Sequence, residues 1–138
     1  MDRKIEFRGK RLDSGEWLYG DLMHDNLGGC YVYPLYAENL YAENKVDPDT
    51  VGEFSGMTDK NGVKVFEGDI VEVFDFTSAY ASKYRGVVKM YRGSWCVEYE
   101  DSIFDMVAHP RLFFDDFADR KTDVIGNIHD NAELLSTE

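Results

Sequence analysis

Asp59-Lys60-Asn61-Gly62-Val63-Lys64-Val65-Phe66-Glu67-Gly68-Asp69-Ile70-Val71-Glu72-Val73-Phe74 decides the fold. Asn61-Gly62 is a hairpin signal, because type I′ turns need positive φ at both central positions. Lys64-Val65-Phe66 returns as a short strand. Glu67-Gly68-Asp69 turns the chain again, and Ile70-Val71-Glu72-Val73-Phe74 is the strongest strand in the sequence. Two turns within eleven residues of β-branched and aromatic positions leave no room for a helix.

The same rhythm continues outward. Upstream, Ile5-Glu6-Phe7-Arg8 alternates, Asp13-Ser14-Gly15 turns, and Glu16-Trp17-Leu18-Tyr19-Gly20-Asp21-Leu22 resumes. Asp25-Asn26-Leu27-Gly28-Gly29 is the next turn. Cys30-Tyr31-Val32-Tyr33 follows, and Pro34 ends that strand or places it at an edge. Downstream, residues 84–91 and 94–100 form a hairpin about Arg92-Gly93, in which Arg85 and Lys89 face Glu98 and Glu100. Asp123-Val124-Ile125-Gly126-Asn127-Ile128 is a closing strand. Helix is expected only over Phe113–Asp119 and in a last turn capped by Asn131.

Many short strands with regular turns and no βαβ rhythm argue for a small barrel or strongly bent sheet. We therefore expect a mainly β (β-rich α+β) fold. Residues 1–45 form an N-terminal antiparallel sheet with a loop. Residues 46–138 form the bent barrel and the terminal strand and helix, and the whole 1–138 is one domain. The expected core comprises Phe7, Trp17, Leu18, Val51, Phe54, Phe66, Ile70, Val71, Val73, Val88, Trp95, Val97, Val124 and Ile125. Leu35-Tyr36-Ala37-Glu38-Asn39 repeats unchanged as Leu40-Tyr41-Ala42-Glu43-Asn44. That period suits neither helix nor strand, so a duplicated surface loop is expected.

Composition narrows the function. The 138 residues carry 27 acidic and 15 basic side chains, a net charge of −12. Residues 21–60 hold 8 acids and 2 bases, and residues 93–138 hold 11 and 3. Such a surface repels nucleic-acid backbones and anionic membranes at long range. No run approaches the length of a membrane helix, and the alternating N-terminus is not that of a signal peptide. Cys30 and Cys96 lie apart in apolar stretches, as in a reducing cytoplasm.

The search for chemistry returns little. There is no Gly-rich phosphate loop and no His-Glu-x-x-His helix. A calcium loop around Asp59 fails, because Met57 and Gly68 would fall at ligand positions. His24, His109 and His129 are isolated. Asp115, Asp116 and Asp119, or Glu67 and Asp69, could hold a divalent cation, yet no nucleophile or base accompanies them. Lys83, Arg85, Lys89 and Arg92, with Trp95 interleaved, form the basic-aromatic patch, of a kind that small barrels use to bind single strands.

At Val46-Asp47-Pro48-Asp49-Thr50-Val51-Gly52-Glu53-Phe54-Ser55-Gly56-Met57-Thr58-Asp59-Lys60-Asn61-Gly62, running on to Phe66-Glu67-Gly68-Asp69, the chain resembles the YopX-like family of phage and prophage proteins. The opening (Ile5–Lys10, Glu16–Leu22) and the close (Asp123–Asn131) agree in order. Ser55, where the family usually has Thr, and the tandem repeat depart from it. The resemblance implies a β-rich fold containing an SH3-like barrel and a place in a bacterial host's cytoplasm. It brings no activity and no catalytic residues. Its shared positions here, Asp47, Pro48, Gly52, Gly56, Asp59, Asn61, Gly62, Glu67, Gly68, Asp69, Gly126 and Asn127, are expected to be structural. No cofactor is expected, and enzyme activity is left open but disfavoured. The leading expectation is a non-enzymatic interaction module that binds a protein partner or itself, as a homo-oligomer built on Tyr31, Tyr33, Tyr36 and Tyr41. Nucleic acid binding at residues 83–95 comes second, disfavoured by net charge, and metal-dependent catalysis third.

Overall fold

The computed structural model describes residues 4–34, 42–75, 82–99 and 122–135. Among the described residues the fold is mainly β, with curled antiparallel sheet forming a half-barrel and lone 3-10 turns. The expected bent barrel is thus met as a half-barrel. The chain divides into two compact units, Met1–Phe54 and Ser55–Glu138.

In the first unit β1 (Phe7–Lys10), β2 (Trp17–His24), β3 (Cys30–Tyr33) and β4 (Lys45–Val46) form antiparallel pairs in sequence order. The start of β5 (Gly52–Thr58) pairs with the other edge of β1. The β1–β2 hairpin closes where Arg11 clamps Asp13 through two hydrogen bonds of 2.9 and 2.8 Å. β1 starts two residues later than the sequence alternation suggests. One sheet face packs Cys30, Val32 and Val46 against Leu18, Leu22 and Val51. Leu22 and Val32 are directly opposed in register, so alternation places them together. Gly9 lies on this inner face, where a Cβ would sit 2.9 Å from Val46 Cγ2.

The second unit holds the end of β5, β6 (Lys64–Phe66) and a four-stranded sheet. That sheet runs β10 (Thr122–Asn127), β7 (Asp69–Asp75), β8 (Ser82–Tyr91), β9 (Ser94–Tyr99). Its core is a cluster of small β-branched residues, Val65, Val71, Val73, Val88 and Val97, flanked by Met57, Trp95 and Val124. Burying each valine stabilises the fold by about 1.5–2 kcal/mol. Phe54, Phe66 and Ile70 are also buried. Phe7, Trp17, Leu18, Val51, Trp95, Val124 and Ile125, expected in the core, are half-buried. Val32, Val46 and Val65, which the sequence reading passed over, are fully buried.

Three local expectations are corrected. The Asn61-Gly62 turn is not type I′: Gly62 alone of the pair has positive φ, at 82°. Gly62 N–H donates to Asp59 O, while Asp59 N–H donates to Val63 O. This is a type I turn closed by a bulge, selected because the Asp59 carboxylate takes the amides of Asn61 and Val63. The I′ geometry falls instead at Arg92-Gly93, with φ of 50° and 81°. Second, the described carboxylate partner of Arg85 is on β7, not Glu98 of β9. Arg85 is paired in register with Glu72 of β7 and bonds that carboxylate at 2.9 Å. Third, Ala132–Leu135 is a 3-10 turn, and the Asn131 side chain accepts backward from Asn127 N–H instead of capping it. The expected helix at Phe113–Asp119, with Glu100, lies outside the described residues, as does most of the tandem repeat.

Candidate functional site

Asp47, Asp59, Asp69 and Asn127 of the motif fall at chain reversals, and their side chains hold backbone. Asp47 caps the 3-10 turn Pro48–Thr50, accepting from Asp49 N–H at 3.0 Å. Pro48 stands at its first position, where a missing N–H costs nothing. Thr50 donates its hydroxyl to Asp47 O and accepts from Lys10 N–H, which ties the turn to β1.

Asp59 is the most connected. It is 5% exposed. One carboxylate oxygen accepts from Asn61 N–H (2.8 Å) and Val63 N–H (2.9 Å), and the other from Val124 N–H (2.9 Å), 65 residues away. Asn61 Nδ2 donates to Asp123 Oδ1, and Lys60 N–H donates to Thr122 O. The β5–β6 turn is thereby tied to β10. Asp69, 2% exposed, accepts from Phe66 N–H at 2.7 Å and so tightens the Glu67-Gly68 corner. Gly68 adopts φ 92°, donates to Val88 O and accepts from Ile128 N–H. At the far end of β10 the register shifts between Val124 and Gly126. Asn127 Oδ1 then takes the amides of His129 and Asp130. A Cβ on Gly126 would meet Asn131 Oδ1 at 2.6 Å. Gly52 is buried in β5, and Gly56 is exposed with φ 89°. Carboxylates that accept two or three backbone amides shape turns; they are poorly placed to take a proton from a substrate.

The other candidate positions are dispersed. Among the described residues no three His, Cys, Asp or Glu side chains gather as metal ligands. His24 and His129 are exposed in different units. His109, Asp115, Asp116 and Asp119 lie outside the described residues. Among the described residues no helix is long and apolar enough to cross a membrane. Cys30 and Cys96 are free and buried, and burial pushes the Cys96 thiol up.

The basic hairpin is divided by the sheet. Arg85 donates to Glu72 and to Leu134 O, and Lys89 donates to Glu98 at 2.6 Å. Trp95 packs against the valine core on the other side of the sheet. Arg92 sits in the turn with its guanidinium over the Tyr91 ring. The side chain of Lys83 lies outside what is described. These side chains do not share one surface.

Of the tyrosine run named from the sequence, Tyr36 and Tyr41 lie outside the described residues, while Tyr31 and Tyr33 stand on a basic-aromatic surface of the first unit whose other members the sequence reading missed. Alternation along β2 turns Trp17, Tyr19, Asp21 and Met23 away from the Leu18–Leu22 face. Register then sets Lys10 opposite Trp17, Tyr33 opposite Asp21, and Tyr31 between Met23 and Lys45. Tyr31 and Tyr33 stack with centroids 6.1 Å apart and planes 5° from parallel. The Arg8 guanidinium lies 4.6 Å from the Trp17 ring centroid and Lys10 Nζ lies 5.6 Å away. Arg8 is only 5% exposed, whereas Tyr19 is 43% exposed. The Tyr31 hydroxyl donates to Asp25, which also accepts from Leu27 and Gly29 N–H. These bonds, that from Gly29 foremost, hold the Asp25 carboxyl below its ordinary value, and Asp25 in turn raises Tyr31. The residues of this face come from four separate strands, so only strand pairing could have revealed it.

Turn-forming carboxylates on a curled antiparallel sheet define a β-rich half-barrel protein. The chain belongs to the YopX protein family, whose sequence profile matches residues 6–136. It is similar to the solved structure described as "Crystal structure of protein EF1440 from Enterococcus faecalis", with 23% identity over 97% of this chain and 99% of that one and a TM-score of 0.57. That likeness supports the fold. No curated protein matches the chain.

Proposed function

We propose that the protein is a non-enzymatic interaction module, carried by a phage or prophage and working in the bacterial cytoplasm. Its binding surface is the outer face of β1–β4. One observation carries this reading: Trp17, Tyr19, Tyr31 and Tyr33 stand on one sheet face with Lys10 and Lys45 beside them. Aromatic side chains at this density are characteristic of binding surfaces, because they offer large contact area at low entropic cost. The carboxylates of Asp47, Asp59 and Asp69, by contrast, are engaged with backbone amides. Free buried cysteines support a reducing compartment. A host or phage protein, a second copy of the chain and a nucleic acid all use faces of this kind.

The test is a photo-crosslinking amino acid placed at Tyr19, with a control at Val63, which is equally exposed but lies in the other unit. Adducts with a macromolecule from bacterial lysate at Tyr19, absent at Val63, are the expected result. Equal labelling at both positions, or none at Tyr19, would overturn the assignment of the face.

A further inference from the structure

We infer that the outer face of β1–β4 is a platform for single-stranded nucleic acid, on which bases stack on the tyrosines and phosphates meet the lysines. This inference rests on the interaction-module reading and names the chemistry of its partner.

Three features of the face select this occupant. The first is ring geometry. Tyr31 and Tyr33 present nearly parallel rings at a fixed spacing, and Arg8, itself buried, holds the Trp17 indole from one side. Preset aromatic planes on an antiparallel sheet are the element that single-strand binders share, since every base has a π-face to stack.

The second is charge. In a chain of net charge −12, Lys10 and Lys45 join Arg8 on this one face, against Asp21 and the Asp25 that Tyr31 holds. That local excess is complementary to a phosphate backbone. Repulsion from the acidic remainder is screened beyond about 8–10 Å at physiological salt, so contacts on the face decide the affinity. Asp21 adds an acceptor of the kind that takes the amino group of cytosine.

The third is what the face lacks. Among its described outward positions Met23 is the one aliphatic side chain on β2 and β3. The centre of a protein interface is depleted of lysine and aspartate. Here Trp17 and Tyr31 each stand beside a lysine, Lys10 and Lys45 in turn.

The test uses the full chain and a labelled oligo(dC) of about 16 nucleotides, read by fluorescence anisotropy at several salt concentrations. Tyr19→Ala and Tyr33→Ala should each weaken binding about 5- to 100-fold. The double change Lys10→Gln/Lys45→Gln should flatten the log–log salt dependence by about 1.4, two phosphates' worth for a single strand. The double change Arg85→Gln/Lys89→Gln, on the other unit, should leave binding unchanged. Far-UV circular dichroism checks each fold, and Tyr19→Ala alters an exposed side chain that is not part of the core. No binding by wild type at low salt, or binding unaltered by Tyr19→Ala, would overturn the inference. If the crosslinker at Tyr19 then captures a protein, only the nucleic-acid inference falls. If it captures nothing, the module reading falls with it.

Discussion

Asp59→Ala removes the acceptor of three backbone amides at once. In the native turn the carboxylate binds Asn61 N–H, Val63 N–H and Val124 N–H at 2.8–2.9 Å, and the residue is 5% exposed. A hydrogen bond to a charged group contributes about 1.5–3 kcal/mol, and an orphaned buried donor carries its full desolvation cost. Asn61 and Val63 are exposed residues, so water can replace part of their bonds; about 1 kcal/mol each is reasonable. The Val124 amide, on half-buried β10, gives its hydrogen bond to Asp59 and warrants about 2 kcal/mol. The substitution should therefore cost about 4 kcal/mol, a large part of the 5–15 kcal/mol by which a domain is stable. Asp59→Asn keeps one oxygen and turns an amino group toward the third donor, so about 2 kcal/mol is expected. Urea denaturation followed by Trp95, in the core of the second unit, measures the loss. Hydrogen exchange at the Val124 amide localises it. A loss below about 1 kcal/mol for Asp59→Ala, or a Val124 amide that stays protected, would refute the staple.

Other expectations follow from the same geometry. Gly126→Ala drives a Cβ into Asn131 and should cost about 1–3 kcal/mol; paired with Asn131→Gly it should cost less than the two separate losses combined, as measured by a double-mutant cycle. Thr122 is fully buried and its hydroxyl has no hydrogen-bond partner among the described residues, so the isosteric Thr122→Val should raise stability by about 1 kcal/mol in urea titration. Asp25 has a folded pKa below its unfolded value. Its contribution is therefore full above the unfolded value of about 4 and is lost as pH falls through the folded one. Carboxyl NMR should show Asp25 titrating below an ordinary aspartate, and Asp25→Asn should flatten the acid limb of the stability curve; a normal titration would count against the turn as drawn.

The strands were legible because each is local. Ile70–Phe74 and Cys30–Tyr33 are β-branched or aromatic runs bounded by Gly, Pro or Asp, and both form where expected. Turn type was less legible, because it depends on a side chain as well as on the central pair. Asn61-Gly62 took a bulged type I turn once the Asp59 carboxylate captured its amides, while the unremarkable Arg92-Gly93 took the I′ geometry. Partners on neighbouring strands were hardest. Arg85 bonds Glu72, not Glu98, because β8 is flanked on both sides and β7 sets Glu72 directly opposite. Val46, beside Asp47-Pro48, was passed over for the core, yet pairing with Cys30 brings it there. The aromatic face was hidden for the same reason. Lys10, Trp17, Tyr31 and Lys45 span 36 positions and meet only through register.

The strand order of the second sheet also governs how the chain emerges from a ribosome. β7 has its β8 neighbour within a few residues, but its other neighbour, β10, begins at Thr122. Translation runs at about 5–20 residues per second, so β7 waits for seconds with one hydrogen-bonding edge open. The first unit needs only residues up to Phe54 and can close long before. A nascent chain paused ahead of Thr122 would thus present a folded first unit followed by an adhesive strand edge, the kind of edge that recruits a chaperone or a second nascent chain. The Asp59 carboxylate, made early, waits through the same interval for the Val124 amide.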